Sequence, residues 1–183
     1  MAAICVFCGS QTGDDIRYVD DAAQLGRFLS SAGHTLIYGG GSTGIMGAIA
    51  DAMLAENGHV IGVIPEALAV AELMHNGVDD MRVVPDMHVR KATMHRLADA
   101  YIALPGGLGT MEELFEALCW AQLEFHTAPI CLLNSTGIFE GLVKLLDRMV
   151  QDHFVSPKHH SLLTVCNSVN ELEGWIRRQF PDC

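Results

Sequence analysis

Basic residues are scarce in this 183-residue chain: lysine and arginine number 11 against 22 aspartates and glutamates, a formal net charge of −11. A protein that grips a nucleic-acid polymer needs a cationic face to displace counterions, so such polymers are excluded as partners. The deficit does not exclude one nucleotide, because backbone N–H groups at a helix N-terminus hold a phosphate without basic side chains. Long apolar runs are also missing. Each is broken by glycine, proline or a charge within about 18 residues, short of a bilayer span, so no membrane partner is expected. The opening residues, MAAICVFCGS, lack the basic stretch of a secretory leader and run straight into a strand-like pattern. The expected compartment is the cytoplasm.

Several reaction signatures are absent as well. No G-x-x-x-x-G-K-[ST] is present, which removes a P-loop. Nine histidines include no H-E-x-x-H; His88 and His95 stand seven apart, and His159 and His160 fall in a polar loop. Packing or surface roles are expected for them, and no metal. Of six cysteines, Cys5 and Cys8 form a C-x-x-C without a second pair. Their odd separation puts them on opposite faces of a strand, so buried thiols are the default reading. Ser10 follows Gly9 without a G-x-S-x-G around it, which suits a phosphate or ribose contact better than nucleophilic attack.

What is present alternates. Apolar runs at 2–8, 34–41, 59–65, 81–85, 101–105, 129–134 and 162–166 read as strands. Amphipathic segments at 16–33, 43–58, 86–100, 110–123, 137–152 and 168–180 read as helices. Continuous apolar strands alternating with helices predict an α/β fold: a single domain with a doubly wound, Rossmann-like parallel sheet and helices on both faces. Ligands of such folds lie beyond the carboxyl ends of the strands. Three loops end there: CGSQTG (8–13), YGGGSTG (38–44) and PGGLGT (105–110).

Gly39, Gly41 and Gly44 match G-x-G-x-x-G, but after the second strand rather than the first. They fit either a dinucleotide site or close strand–helix packing. PGGLGT is the stronger signal. Its glycines let a ligand approach the backbone, and Thr110 is expected to open a helix whose free N–H groups favour a phosphate. Thr110-Met-Glu-Glu113 also reads as a capping box, so Glu113 is either a cap or a reacting carboxylate. Arg90 bears on that choice. In the helix at 86–98, Met87, Met94, Leu97 and Ala98 form one apolar arc; Arg90 falls inside it and Lys91 at its edge. Two cations in the first turns oppose the helix dipole, which calls for an anionic ligand or a carboxylate nearby. Both helices begin at the carboxyl edge of the sheet, where Arg90 and Glu113 can meet. The helix at 110–123 is apolar on Met111, Leu114, Phe115, Leu118 and Ala121, with Ala117 and Trp120 on a second side. That suits a dimer interface or burial beneath the helix at 137–152.

PGGLGTMEE with MHVRK resembles the PGGxGTxxE and M-H-x-R-K signatures of the LOG ("lonely guy") family, the cytokinin riboside 5′-monophosphate phosphoribohydrolases. The resemblance runs through ICVFCGS, YGGGSTGIMG, HVIGVIP, ALCWAQLEFH and FVSPKH. It implies a homodimeric Rossmann-like enzyme that hydrolyses the N-glycosidic bond of N6-modified adenosine 5′-monophosphates, with no cofactor. Arg90 and Glu113 fall on the family's catalytic positions. Gly9, Ser10, Gly40, Gly41, Glu72, Met87, Lys91, Gly106, Gly107, Leu108, Gly109, Thr110 and Glu112 fall on positions expected to bind substrate. An older description of the family as lysine decarboxylases fits poorly. A pyridoxal enzyme needs a Schiff-base lysine, and only Lys91, Lys144 and Lys158 exist, with no cofactor motif around the last two. Two other classes stay open: a nucleotide-binding carrier or sensor without catalysis and, further off, an NAD oxidoreductase.

Overall fold

The computed structural model describes residues 1–70, 73–78 and 80–181. The apolar runs form β1 (Ala3–Phe7), β2 (Thr35–Tyr38), β3 (His59–Pro65), β4 (Asp80–Val84), β5 (Ala100–Ala103), β6 (Ile130–Leu133) and β7 (Leu163–Cys166). Between them lie α1 (Arg17–Ser31), α2 (Gly44–Ala55), α3 (Met87–Leu97), α4 (Leu108–Gln122), α5 (Glu140–Gln151) and α6 (Pro157–His160); α7 (Val169–Gln179) follows the last strand. A 3-10 turn, Glu66–Leu68, follows β3.

All seven strands run parallel in the order β4-β3-β2-β1-β5-β6-β7. The chain winds outward from β1 to β4, returns beside β1 as β5, and winds outward the other way. The order reverses between β1 and β5, so the loops leaving those two strands part and open a crevice at the carboxyl edge. Side-chain alternation builds two cores. Ile4, Val6, Leu36 and Tyr38 pack under α1, α2 and α7, whereas Cys5, Phe7, Ile37 and Val63 face α3 and α4. Cys5 and Cys8 lie in opposite cores, as their spacing predicts. Among the described residues no helix is long and apolar enough to cross a membrane.

Four expectations need correction. The helix expected to open at Thr110 starts at Leu108, because the Gly107 carbonyl already accepts the first helical bond, from Met111 N at 3.1 Å. Thr110 therefore lies inside α4, buried, and caps nothing. Lys158, His159 and His160 belong to a one-turn helix rather than a loop: Pro157 occupies its first position and Ser156 caps it by accepting from His159 N. Cys119 is exposed on α4 rather than buried, since it points away from the sheet. Met87, placed on the apolar arc of α3, is 43% exposed, in a first turn whose His88 and Val89 are exposed with it.

Candidate active site

A cleft of about 350 Å³ opens at the crevice between β1 and β5. Its floor is the end of β1 with Cys8, Gly9 and Ser10; one wall is the start of α4, and another carries Arg90 from α3. The two diverging loops are tied where they part, by Gly9 N donating to Pro105 O at 3.0 Å. Asp86 sets the start of α3 by accepting from Val89 N at 2.9 Å, which fixes the turn that carries Arg90.

Arg90 and Glu113 meet in this cleft. The guanidinium donates from Nη1 to Glu113 Oε1 at 2.8 Å and from Nε to the Val63 carbonyl at 3.0 Å. Both side chains are nearly buried, at 12% and 10% exposure. Burial pushes the Glu113 carboxyl above its ordinary value, and the Arg90 guanidinium pulls it back without cancelling the effect. Glu113 is thus no helix cap. It is a carboxylate held in a low-dielectric wall by one cation, which suits it to stabilise positive charge developing beside it.

The third loop explains how the guanidinium fits. A Cβ on Gly39 would stand 2.4 Å from Arg90 Nη2, so the bare backbone at the end of β2 is the space the guanidinium occupies. Gly44 has φ +65°, and a Cβ there would reach 2.3 Å from the Ser10 carbonyl carbon. α2 therefore docks on the β1 loop, and Met46 N donates to Gly9 O at 3.1 Å. These glycines serve close packing, the second of the two readings of G-x-G-x-x-G.

At the start of α4 the geometry favours an anion. The N–H groups of Leu108, Gly109 and Thr110 precede Met111, the first helical donor, and among the described residues no side chain caps the helix. All three residues line the cleft, and among the described residues nothing stands within 4 Å of where a Cβ of Gly107 or Gly109 would be. A second depression of about 260 Å³ lies across Gly9, Ser10 and Gly107, with Gly106, Tyr18 and Ile138 in its walls.

Eight of the predicted positions converge on the cleft: Gly9, Ser10, Arg90, Gly107, Leu108, Gly109, Thr110 and Glu113. The others stand elsewhere. Gly40 backs onto Ile64 and Met81, and Gly41 pairs with Met74 in an isolated bridge. The Lys91 ammonium is held by Glu112 and Glu116, so the cation at the arc's edge faces carboxylates, and Met87 lies outside the cleft lining. Burial alone would lower the Lys91 pKa, but the hydrogen bonds it donates to the two carboxylates together raise it. Glu72 falls outside the described residues. Sequence reasoning missed the Val63 carbonyl, which has no side-chain signal, and the steric role of Gly39. It also missed the lining residues Met46 and Leu68.

A profile of a family described as "Possible lysine decarboxylase" matches residues 46–174. The chain is 46% identical over 178 residues to cytokinin riboside 5′-monophosphate phosphoribohydrolase LOG1 of Arabidopsis thaliana, covering 97% of this chain and 84% of that protein. The chain belongs to the LOG family. It is 43% identical to the rice (Oryza sativa subsp. japonica) protein named probable cytokinin riboside 5′-monophosphate phosphoribohydrolase LOGL3, with the same coverage of 97% and 84%. The Moco carrier protein of Chlamydomonas reinhardtii shares the fold, with a TM-score of 0.74 at 20% identity over 100% of this chain and 99% of its own. The lysine decarboxylase description finds no support in this LOG-family cleft. Lys91 is engaged by Glu112 and Glu116, Lys144 pairs at the surface with Glu140, and Lys158 is 78% exposed near Glu124.

Proposed function

We propose that the protein hydrolyses the N-glycosidic bond of N6-modified adenosine 5′-monophosphates, cytokinin riboside 5′-monophosphates among them. The observation that carries this reading is the buried Arg90–Glu113 pair beside the open start of α4, in a chain 46% identical to LOG1. The 5′-phosphate sits on the first-turn amides of α4, where the dipole favours an anion. That contact spends binding energy on placing C1′ against Glu113. The C1′–N9 bond breaks through an oxocarbenium-like ribose, which the Glu113 carboxylate stabilises while it orients the attacking water. Arg90 aligns that buried carboxyl and opposes the rise in its pKa that burial causes. Water supplies the hydroxyl at C1′ and the proton taken up by the base, giving free base and ribose 5-phosphate.

The phosphate contact makes the test. Base release is expected from N6-isopentenyl-AMP and not from the matching nucleoside, followed by chromatography of the free base. Equal rates on both would refute the anchoring role of α4. Retention of intact nucleotide would favour a carrier or sensor.

The working unit in this reading is a homodimer in the cytoplasm. None of the residues of α5 is buried, and its Leu146 and Met149 form an apolar groove of about 220 Å³ with Phe115, Leu118 and Cys119 of α4. A second copy of the chain is the occupant this surface suits.

A further inference from the structure

The Arg90–Glu113 contact is the first rung of a ladder between α3 and α4. Lys91 donates to Glu112 and, at 3.0 Å, to Glu116 Oε1. One turn along α3, His95 Nε2 meets the other oxygen of the same carboxylate, Glu116 Oε2, at 3.2 Å. The far end is anchored in the sheet. His95 Nδ1 lies 2.7 Å from the Tyr101 hydroxyl on β5, and its ring stacks on Trp120 with centroids 4.4 Å apart. Glu116 thus ties two successive turns of α3 to α4 with one side chain. The rung is well shielded, at 14% exposure for Lys91, 20% for Glu116 and 8% for His95.

α3 has little of the usual alternative. Of its 11 residues only Thr93 and Met94 are buried, with Leu97 partly buried against the same core, so the apolar seam that sets a helix's depth and rotation is narrow. Polar contacts have to supply the rest of that register. Rotation of α3 would carry the guanidinium away from both Glu113 and the Val63 carbonyl, because Arg90 and Lys91 are adjacent on one turn.

We propose that Glu116 is a positioning residue: by holding Lys91 and His95 it sets the rotation of α3 that keeps Arg90 on Glu113. Its kinetic consequence rests on the hydrolase reading; its geometric consequence does not. The test uses the full chain and two readouts. In the wild type the Arg90 Nε–H, donated to Val63 O, should be a protected signal in nitrogen-15 NMR. In Glu116→Gln its exchange should quicken by about tenfold or more. Ile176→Val, which loosens the opposite core, should leave that signal unchanged. Glu116→Asp, which keeps the charge but is too short to span both partners, should fall between and serves if the glutamine variant does not fold. In the activity assay kcat should drop by about tenfold with KM within about twofold. In a Glu113→Gln background the Glu116 substitution should add no further loss. Unchanged Arg90 exchange in Glu116→Gln, or losses that multiply in the double variant, would overturn the proposal. A wild type that releases no base sinks the hydrolase reading alone, and the NMR arm then decides.

Discussion

Replacing Gly39 by alanine displaces Arg90 without altering it. The new Cβ would stand 2.4 Å from Arg90 Nη2 and 3.0 Å from Met46 Sδ. Ordinary contact begins near ~3.4 Å, so the guanidinium has to retreat by about 1 Å. A shift of that size is enough to take the 2.8 Å bond to Glu113 past hydrogen-bonding range. The obstructed atom is the end of a flexible side chain, so the fold survives. The expected stability loss is only that of one weakened bond to a charged group, ~1–3 kcal/mol. A catalytic group misplaced by about 1 Å costs roughly a hundredfold in rate, or ~2.7 kcal/mol of barrier. The assay is steady-state release of free base, with a thermal melt on the same preparation. A folded variant with wild-type kcat would refute the reasoning. So would a rise in KM alone, since that would mean the methyl obstructs the ligand rather than moving Arg90.

Other consequences can be measured in parallel. In Arg90→Ala, burial of Glu113 is no longer opposed by the guanidinium, so the acid limb of the residual kcat/KM profile should move to higher pH. A limb that stays put would show that Glu113 does not set it. Burial holds His95 below the ordinary imidazole value of 6.5, against the raising pull of Glu116, so the unfolded chain takes up that proton first as pH falls. The stability tied to neutral His95 is present above 6.5 and is lost as pH drops through it toward the folded value. Melting temperature should therefore fall more steeply between about pH 7.5 and about pH 5.5 in the wild type than in His95→Gln; equal slopes would contradict this. Leu118→Asp places a charge in the α4–α5 groove and should shift sedimentation from dimer to monomer. A wild type that already sediments as a monomer would remove the groove as an interface.

The sheet was legible because each strand is a short apolar run closed by glycine, proline or a polar turn. The spacing of Cys5 and Cys8 already separated the two cores. The meeting of Arg90 with Glu113 was legible for a related reason: a cation inside an apolar arc needs a partner, and both helices start at the same edge of the sheet. What escaped depends on contacts between distant segments. Gly39 and Arg90 are brought together only because β2 and β3 lie side by side beneath α3. The start of α4 depends on where the Gly107 carbonyl finds its first donor, which a T-x-x-E pattern two residues later obscures. That Lys91 needs a carboxylate or an anion was legible from its place against the helix dipole, but not that Glu112 and Glu116 supply it, because they are over twenty residues away along the chain.

The central claim is that Glu113 takes part in breaking the C1′–N9 bond rather than in building the helix. The most direct measurement is to incubate N6-isopentenyl-AMP with the wild type and with Glu113→Gln and to quantify base and ribose 5-phosphate together. The wild type should yield the two products in equal amounts. Glu113→Gln should be slower by about 10²–10³-fold, the cost of losing one electrostatic stabiliser, while still melting cooperatively and losing no more than the ~1–3 kcal/mol of one weakened bond to a charged group. Equal turnover by the two proteins, or tight binding of nucleotide by the wild type without either product, would contradict the account.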